Sequence, residues 1–462
     1  MASTEKLATE KDSTSDYADF GISRDVFVPS PPTASSGFKR LDELTQRIHR
    51  KLVDHLQLDE LSKLPENKRR SEIRMLAESL IDVENLPLNS AQRAELIQNL
   101  LDEILGLGPL EKLLRDPTAT DILVNGPFQI YVERKGRLEE SPVRFRDSQH
   151  LMEIIHRIVG KVGRRIDERS PIVDARLLDG SRVNAVIPPL ALRGPTLSIR
   201  RFGPTPLLMK DLLQLKALAP EMALLLEAAV KGRLNIVICG GTGSGKTTLL
   251  NTLSAFIPNN ERIISVEDAA ELQLQQRHVV QLESRPANVE GSGEITLRDL
   301  VRNTLRMRPN RIIVGECRGP EAFDMLQAMN TGHEGSLTTL HANSPRDALS
   351  RLEMMLMMAG MEVPLSAMRE QIASAVHVIV QVDRLPGGPR RVTSITEISG
   401  REKEVITIQE IFRFRQLGLD PLGNAHGQFE STGIRPFFMP RLEASSIDLP
   451  ADLFRERTLM QA

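Results

Sequence analysis

At 462 residues the chain has room for about two or three domains with ample core. Its 59 Lys and Arg nearly cancel its 61 Asp and Glu, and it holds two Tyr, 14 Phe and no Trp, so neither a global field nor a set of stacking rings draws it to nucleic acid and no such partner is expected. No window offers the ~18 consecutive apolar residues of a membrane span, so any membrane association would come through partners.

Residues 1–37 are rich in Ser, Thr, Asp and Pro and show neither helical nor strand period, which reads as a disordered tail. Over 38–85, Leu41, Leu44, Ile48, Leu52 and Leu56, then Ile73, Leu76 and Leu80, recur at helical spacing and predict a small helical module. An amphipathic helix over about 90–105 carries Leu96, Leu100, Leu101 and Ile104 and stops at Gly106-Leu107-Gly108-Pro109. The period then changes: strands are expected near 121–126, 129–134 and 196–201 around a helix over about 148–162, making 86–205 an α+β domain. Pro204-Thr205-Pro206 reads as a stiffened connection to residues 206–462, and two lobes joined this way can close on a ligand.

The apolar run Ile236-Val237-Ile238-Cys239 leads into Gly240-Gly241-Thr242-Gly243-Ser244-Gly245-Lys246-Thr247-Thr248 and a helix over about 247–257. This is the pattern of a phosphate-binding loop, in which glycines let successive N–H groups turn inward around a nucleotide's phosphates. Lys246 would bring a point charge to the β and γ phosphates of ATP, Thr247 a hydroxyl to Mg²⁺, and the helix N-terminus its dipole. Cys239 and Cys317 lie beside apolar runs and share no paired spacing for zinc or a disulfide framework, so a reducing cytoplasmic setting is the simplest reading.

The β-branched run Arg262-Ile263-Ile264-Ser265-Val266 closes in Glu267-Asp268, with Glu271 following, and acids at a strand's carboxyl end sit where open α/β sheets bind ligands. Arg311-Ile312-Ile313-Val314-Gly315 ends in Glu316, followed by Arg318 and Glu321, which is the Walker B position. Either acid alone could be a solvated strand end; their order after a phosphate loop favours a site. His333 and His341 flank a Thr-rich strand, where a neutral imidazole could sense loss of the γ-phosphate and a satisfied structural role is the alternative. The helix after Ser344, capped with Asp347 three residues on, bears Met354, Met355, Met357 and Met358 for either core packing or a sliding surface. Beyond 401, short strand-like pieces between Gly and Pro read as a β-rich C-terminal appendage.

In this order, segments 240–248, 265–271, 312–318 and 332–341 resemble the Walker A, Asp box, Walker B and His box of secretion-superfamily (type II/IV) traffic ATPases. Within that superfamily the chain most resembles the tight-adherence (Tad, or Flp) pilus assembly ATPases of the CpaF type. The narrower likeness rests on Glu103-Ile104-Leu105-Gly106-Leu107-Gly108-Pro109-Leu110-Glu111, on Thr120-Asp121-Ile122-Leu123-Val124-Asn125-Gly126, on residues 171–185, and on Thr432-Gly433-Ile434-Arg435-Pro436; it spans about 38–438.

The resemblance implies an α/β fold, with a RecA-like P-loop motor over 206–462 preceded by the α+β domain and the helical module. It implies a cytoplasmic homohexamer docked on inner-membrane platform proteins of a pilus or secretion system, hydrolysing ATP with Mg²⁺ to move pilin subunits. Glu267 would activate the attacking water, with Glu271 the alternative; Glu316 would support Mg²⁺; His341 would read the γ-phosphate. Arg176, Arg182, Arg200 and Arg201, unranked, would reach the phosphates as the lobes close, because the motor's motifs carry no other arginine than Arg318; a charged rim is their alternative. A DNA-handling RecA-like ATPase and a non-hydrolysing nucleotide-gated scaffold are the other function classes, disfavoured by the charge balance and by the paired acids respectively.

Overall fold

Local hydrogen-bonding chemistry sets the helix boundaries. Asn89 opens the helix Ser90–Leu105: its side chain accepts the Gln92 N–H at 2.9 Å, Gln92 accepts the Asn89 N–H at 3.1 Å, and Gly106 ends the run. Ser344 accepts the Asp347 N–H in the same way at the start of Pro345–Met358, where proline occupies the first turn at no hydrogen-bonding cost. The computed structural model describes residues 36–55, 64–134, 136–201, 206–287, 292–360 and 362–462. Residues 1–35 of the expected tail, and Pro204 and Thr205 of the expected connection, lie outside the described residues.

The helices Ser36–His55, Glu66–Val83 and Ser90–Leu105 bury Ile48, Leu52, Ile73, Ala77, Leu96 and Leu100 against one another. A six-stranded antiparallel sheet follows: β1 (Ala119–Val124), β2 (Ile130–Arg134), β3 (Arg137–Glu140), β4 (Ile172–Arg176), β5 (Arg182–Val186) and β6 (Thr196–Arg200), in the order β3-β2-β1-β6-β5-β4. Ile122, Val132, Val183 and Ile199 alternate onto one face, and the helix Ser148–Lys161 covers them with Leu151, Ile154, Ile155 and Ile158. The opposite face carries a row that strand register makes continuous: Glu133 stands opposite Asp121, Asp121 opposite Arg200, Arg200 opposite Arg182, and Arg182 opposite Arg176.

The remaining strands form one ten-stranded sheet: β7 (Ile236–Gly240), β8 (Ile263–Glu267), β9 (Val279–Glu283), β10 (Arg311–Cys317), β11 (Leu337–His341), β12 (Val378–Arg384), β13 (Arg390–Glu402), β14 (Val405–Leu419), β15 (Ala425–Ser431) and β16 (Arg457–Gln461). From β9 through β8, β10, β11 and β7 to β12 the strands run parallel, with β10 and β11 inserted between β7 and β8. β7 and β8 are buried along their whole length, because helices cover both faces with separate apolar layers. Strands β13 to β16 continue this same sheet antiparallel from β12, so the C-terminal strands are an extension of the motor sheet rather than a separate piece. They occupy an edge that β12 would otherwise leave open. On Pro345–Met358 the methionines divide: Met355 is buried, whereas Met354, Met357 and Met358 are exposed.

At the amino ends of the parallel strands Arg311 is wholly buried. Its Nε and Nη2 donate to the two carboxylate oxygens of Glu261 at 2.7 and 2.9 Å, and its Nη1 to the carbonyls of Val230 and Gly335 at 2.9 and 3.1 Å. This bidentate pair fixes the start of β10 to the turn before β8, and the Gly335 bond ties it to the turn before β11.

Candidate functional site

The carboxyl ends of β7, β8, β10 and β11 open into a cavity of about 1870 Å³, and the six-stranded sheet supplies its opposite wall through Arg182, Arg200 and Arg201. The phosphate loop lines the motor side. Gly245 adopts φ 101° as it hands over to the helix Lys246–Ser254, a left-handed conformation that a side chain would strain. A Cβ at Gly240 would stand 2.1 Å from the Val382 carbonyl oxygen, so only glycine lets the loop leave β7 so close to β12.

Lys246 donates to the carbonyls of Gly240 and Gly241 at 3.1 and 3.0 Å, and its Nζ lies 3.5 Å from His341 Nδ1. His341 Nε2 lies 2.7 Å from Glu316 Oε1, and Glu316 Oε2 accepts from Arg318 Nε at 2.7 Å. With Nδ1 accepting from the lysine, the imidazole proton belongs on Nε2, facing Glu316. Burial, then the Lys246 charge, lowers the His341 pKa and keeps the ring neutral. The two histidines part company: His341 is in the cavity, while His333 precedes β11, its N–H on the Ala328 carbonyl and its own carbonyl accepting from Ser336.

Glu267 closes β8 and is 3 % exposed. Its Oε2 accepts the backbone N–H groups of Glu271 and Leu272 at 2.7 and 2.9 Å, and its Oε1 is buried without a partner. Burial pushes its pKa up to about 7 against the pull of those two donors; the Glu271 charge adds to the rise and Arg176 opposes it. A carboxyl poised there is suited to general-base work near neutral pH. A Cβ at Gly315 would stand 2.9 Å from Glu267 Cγ, so the glycine before Glu316 makes room for this side chain. Asp268, its neighbour, is exposed and accepts from Ser284 Oγ at 2.7 Å instead.

The four sheet arginines do not act alike. Arg200 faces the phosphate loop across a recess that it shares with Thr242, Gly243 and Asp121, the last 3.9 Å from its Nε. The Arg201 guanidinium is turned to the carbonyls of Asp116 and Ala119. Arg182 Nη1 donates to Glu271 Oε1 at 3.0 Å, and Arg176 Nη1 donates to Glu283 Oε2 at 2.8 Å while its Nη2 holds the Ala270 carbonyl. Two further arginines escaped the sequence reading, which found none but Arg318 in the motor. Arg384 and Arg390 flank the turn Leu385-Pro386-Gly387-Gly388-Pro389 between β12 and β13; Arg390 Nε donates to the Gly243 carbonyl at 2.8 Å, and Arg384 reaches the Gly136 carbonyl of the other sheet. A Pro-Gly-Gly-Pro turn between two arginines was the available signal, and only the β7–β12 pairing places it at the loop.

These residues fit a nucleotide with a hard cation. Ser244 Oγ, in the loop, and Glu267 Oε1 are buried polar atoms without partners at the cavity. Thr247 and Glu316 are oxygen donors of the kind Mg²⁺ takes. Among the described residues no helix is long and apolar enough to cross a membrane.

A protein of Mycobacterium tuberculosis named for conjugal transfer is 41 % identical over 312 residues, which cover 66 % of this chain and 88 % of that protein. The type IV secretion system protein PtlH of Bordetella pertussis is 36 % identical over 59 % of this chain and 87 % of its own length. A crystal structure of the VirB11 ATPase from the Brucella suis type IV secretion system is 30 % identical, covering 62 % of this chain and 94 % of that one with a TM-score of 0.34. The model of the type II/IV secretion system protein family matches residues 103–393, and with phosphate loop, paired acids and neutral histidine gathered at one sheet end, the chain belongs to that family.

Proposed function

We propose that this chain is an ATP hydrolase that drives a pilus or secretion system of the tight-adherence (Tad/Flp) kind, acting as a cytoplasmic homohexamer docked on inner-membrane platform proteins. The observation that carries the reading is Glu267: a buried carboxyl with one oxygen held by two backbone N–H groups and the other buried without a hydrogen-bond partner, on a residue that lines the cavity with the phosphate loop. Mg²⁺, held by Thr247 and Glu316, would supply charge neutralisation on the phosphates.

In this reading Lys246 exchanges the Gly240 and Gly241 carbonyls for ATP's phosphates, and Glu267 takes a proton from the attacking water. His341, neutral and placed between Lys246 and Glu316, reports the presence of the γ-phosphate to the Walker B acid. Phosphoryl transfer leaves little covalent work to a protein, so positioning and charge carry the rate. The division into a helical module over 38–85, an α+β domain over 86–205 and a motor over 206–462 suits a cycle in which the two sheets open and close around the cavity. The Tad/Flp assignment rests on the motif likeness over about 38–438.

The test is steady-state phosphate release by the full chain over a range of protein concentrations, with sedimentation alongside. Specific activity is expected to rise with hexamer formation; a fully active monomer, or no release at any concentration, rejects the reading. For the pilus assignment, cells carrying Lys246→Ala are expected to lose surface pili. A second reading, export in a conjugation system, has the relatives' names in its favour. Single-stranded DNA binding that weakens steeply with salt would support it.

A further inference from the structure

The row of arginines on the six-stranded sheet meets two different parts of the motor. At one end Arg200 faces the phosphate loop; at the other Arg182 and Arg176 reach the short segment between β8 and β9. That segment supplies the two N–H groups that hold Glu267 Oε2, from Glu271 and Leu272. Arg182 grips the Glu271 side chain, and Arg176 grips the carbonyl of Ala270, the residue before it. Arg176 is also paired with Glu283 Oε2, which accepts the Ala270 N–H at 3.3 Å, so the segment is clamped on both sides.

We propose that Arg176 and Arg182 are positioning residues that hold the 270–272 segment against Glu267, so that docking of the six-stranded sheet sets the orientation of the base, while Arg200 alone of the row addresses the phosphates. The inference rests on the hydrolytic reading of the site and goes beyond it by separating two roles. When the sheets part, the clamp opens and Glu267 loses the donors that fix one oxygen and aim the other. Hydrolysis then waits on closure even with ATP bound.

The experiment is a double-mutant cycle on ATP turnover by the full chain. Arg182→Ala and Glu271→Gln are each expected to lower kcat about tenfold with KM changed less than about twofold, a smaller loss than the ~10²-fold that a full ~1 Å misplacement of a reacting group can cost. The double variant should be no slower than the worse single one, and Arg182→Lys should recover part of the loss. If Arg182→Ala instead raises KM while Glu271→Gln behaves as wild type, Arg182 reads the phosphate and the proposal fails. If Glu271→Gln costs as much as Glu267→Gln and far more than Arg182→Ala, Glu271 is the base and the proposal also fails. Hydrogen exchange keeps the test independent of turnover: Arg176→Ala and Arg182→Ala should speed exchange at the Glu271 and Leu272 amides, and Lys246→Ala should leave it unchanged. Unaltered exchange in both arginine variants overturns the clamp even if the chain hydrolyses ATP. Absence of turnover in the wild type, with exchange altered as expected, would sink the hydrolytic reading and leave the clamp standing.

Discussion

The two ends of the motor sheet are built on opposite terms. At the amino ends Arg311 is buried but completely answered, with Glu261 and two carbonyls taking its guanidinium, and burial of Glu261 is outweighed so that its pKa falls. At the carboxyl ends Glu267 is just as buried, yet one oxygen has no partner and its pKa rises to about 7. The first arrangement holds strands together; the second leaves a carboxyl in an unfavourable setting, a perturbation of the kind that marks a candidate functional site.

The comparison is broken most severely by Lys246→Ala, which deletes the charge that the proposed function brings to the phosphates. Turnover is expected to fall by ~10³-fold or more, with nucleotide binding weakened, as a fluorescent nucleotide titration would show. Glu316→Gln keeps shape without charge and is expected to retain ATP binding while losing turnover by ~10²–10⁴-fold; normal Mg²⁺ dependence in that variant would contradict its role. At the other end Arg311→Met should leave the largely buried Glu261 with only the longer Arg233 contact at 3.7 Å and cost about 3 kcal/mol in denaturant unfolding, with little change in the intrinsic chemistry of the molecules still folded.

Glu267→Gln sharpens the contrast in both directions. Turnover should fall by ~10²–10⁴-fold. Because burial raises the folded-state pKa of Glu267 to about 7, above the ordinary glutamate range, folding favours its protonated form. Below the unfolded value both states hold the proton and nothing is lost; as pH rises from there to about 7 the unfolded chain sheds a proton that the folded chain keeps, so stability declines, and it levels off once the folded carboxyl has ionised as well. The glutamine variant should therefore match wild type at acid pH and exceed it above neutrality by on the order of 1–3 kcal/mol, read as thermal midpoints at several pH values. Turnover of the wild type should climb over the same interval as the carboxylate ionises.

Much of this was legible in the chain itself. The helix Ser90–Leu105 is where its spacing and stop signal place it, and the phosphate loop, Glu267 at the end of β8 and Glu316 one residue before the end of β10 meet at one sheet end. Such features are local: a period, a cap, a glycine pattern. What the sequence did not disclose depends on pairing between distant segments. Arg390 reaches Gly243 only because β12 lies beside β7, and the strands after 401 lengthen the motor sheet only because β12 offers its free edge. The methionine helix was ambiguous for a related reason: Met354, Met355, Met357 and Met358 crowd one short stretch, and which of them faces inward is decided by the neighbours of the helix.

The charged row on the six-stranded sheet carries a constraint on change in chain length. Five residues on five strands span ~19 Å at ordinary strand spacing, and their common face depends on every strand keeping its register. Three arginines directly opposite one another repel, a cost that the sheet carries for the sake of the surfaces it meets. Replacing one of them alters one contact. Inserting or deleting one residue within β5 would turn Arg182 toward the helix Ser148–Lys161 and Val183 toward the motor, and would break the alignment on both sides at once. Relatives of this chain should therefore vary in the loops between these strands far more readily than in the number of residues within them.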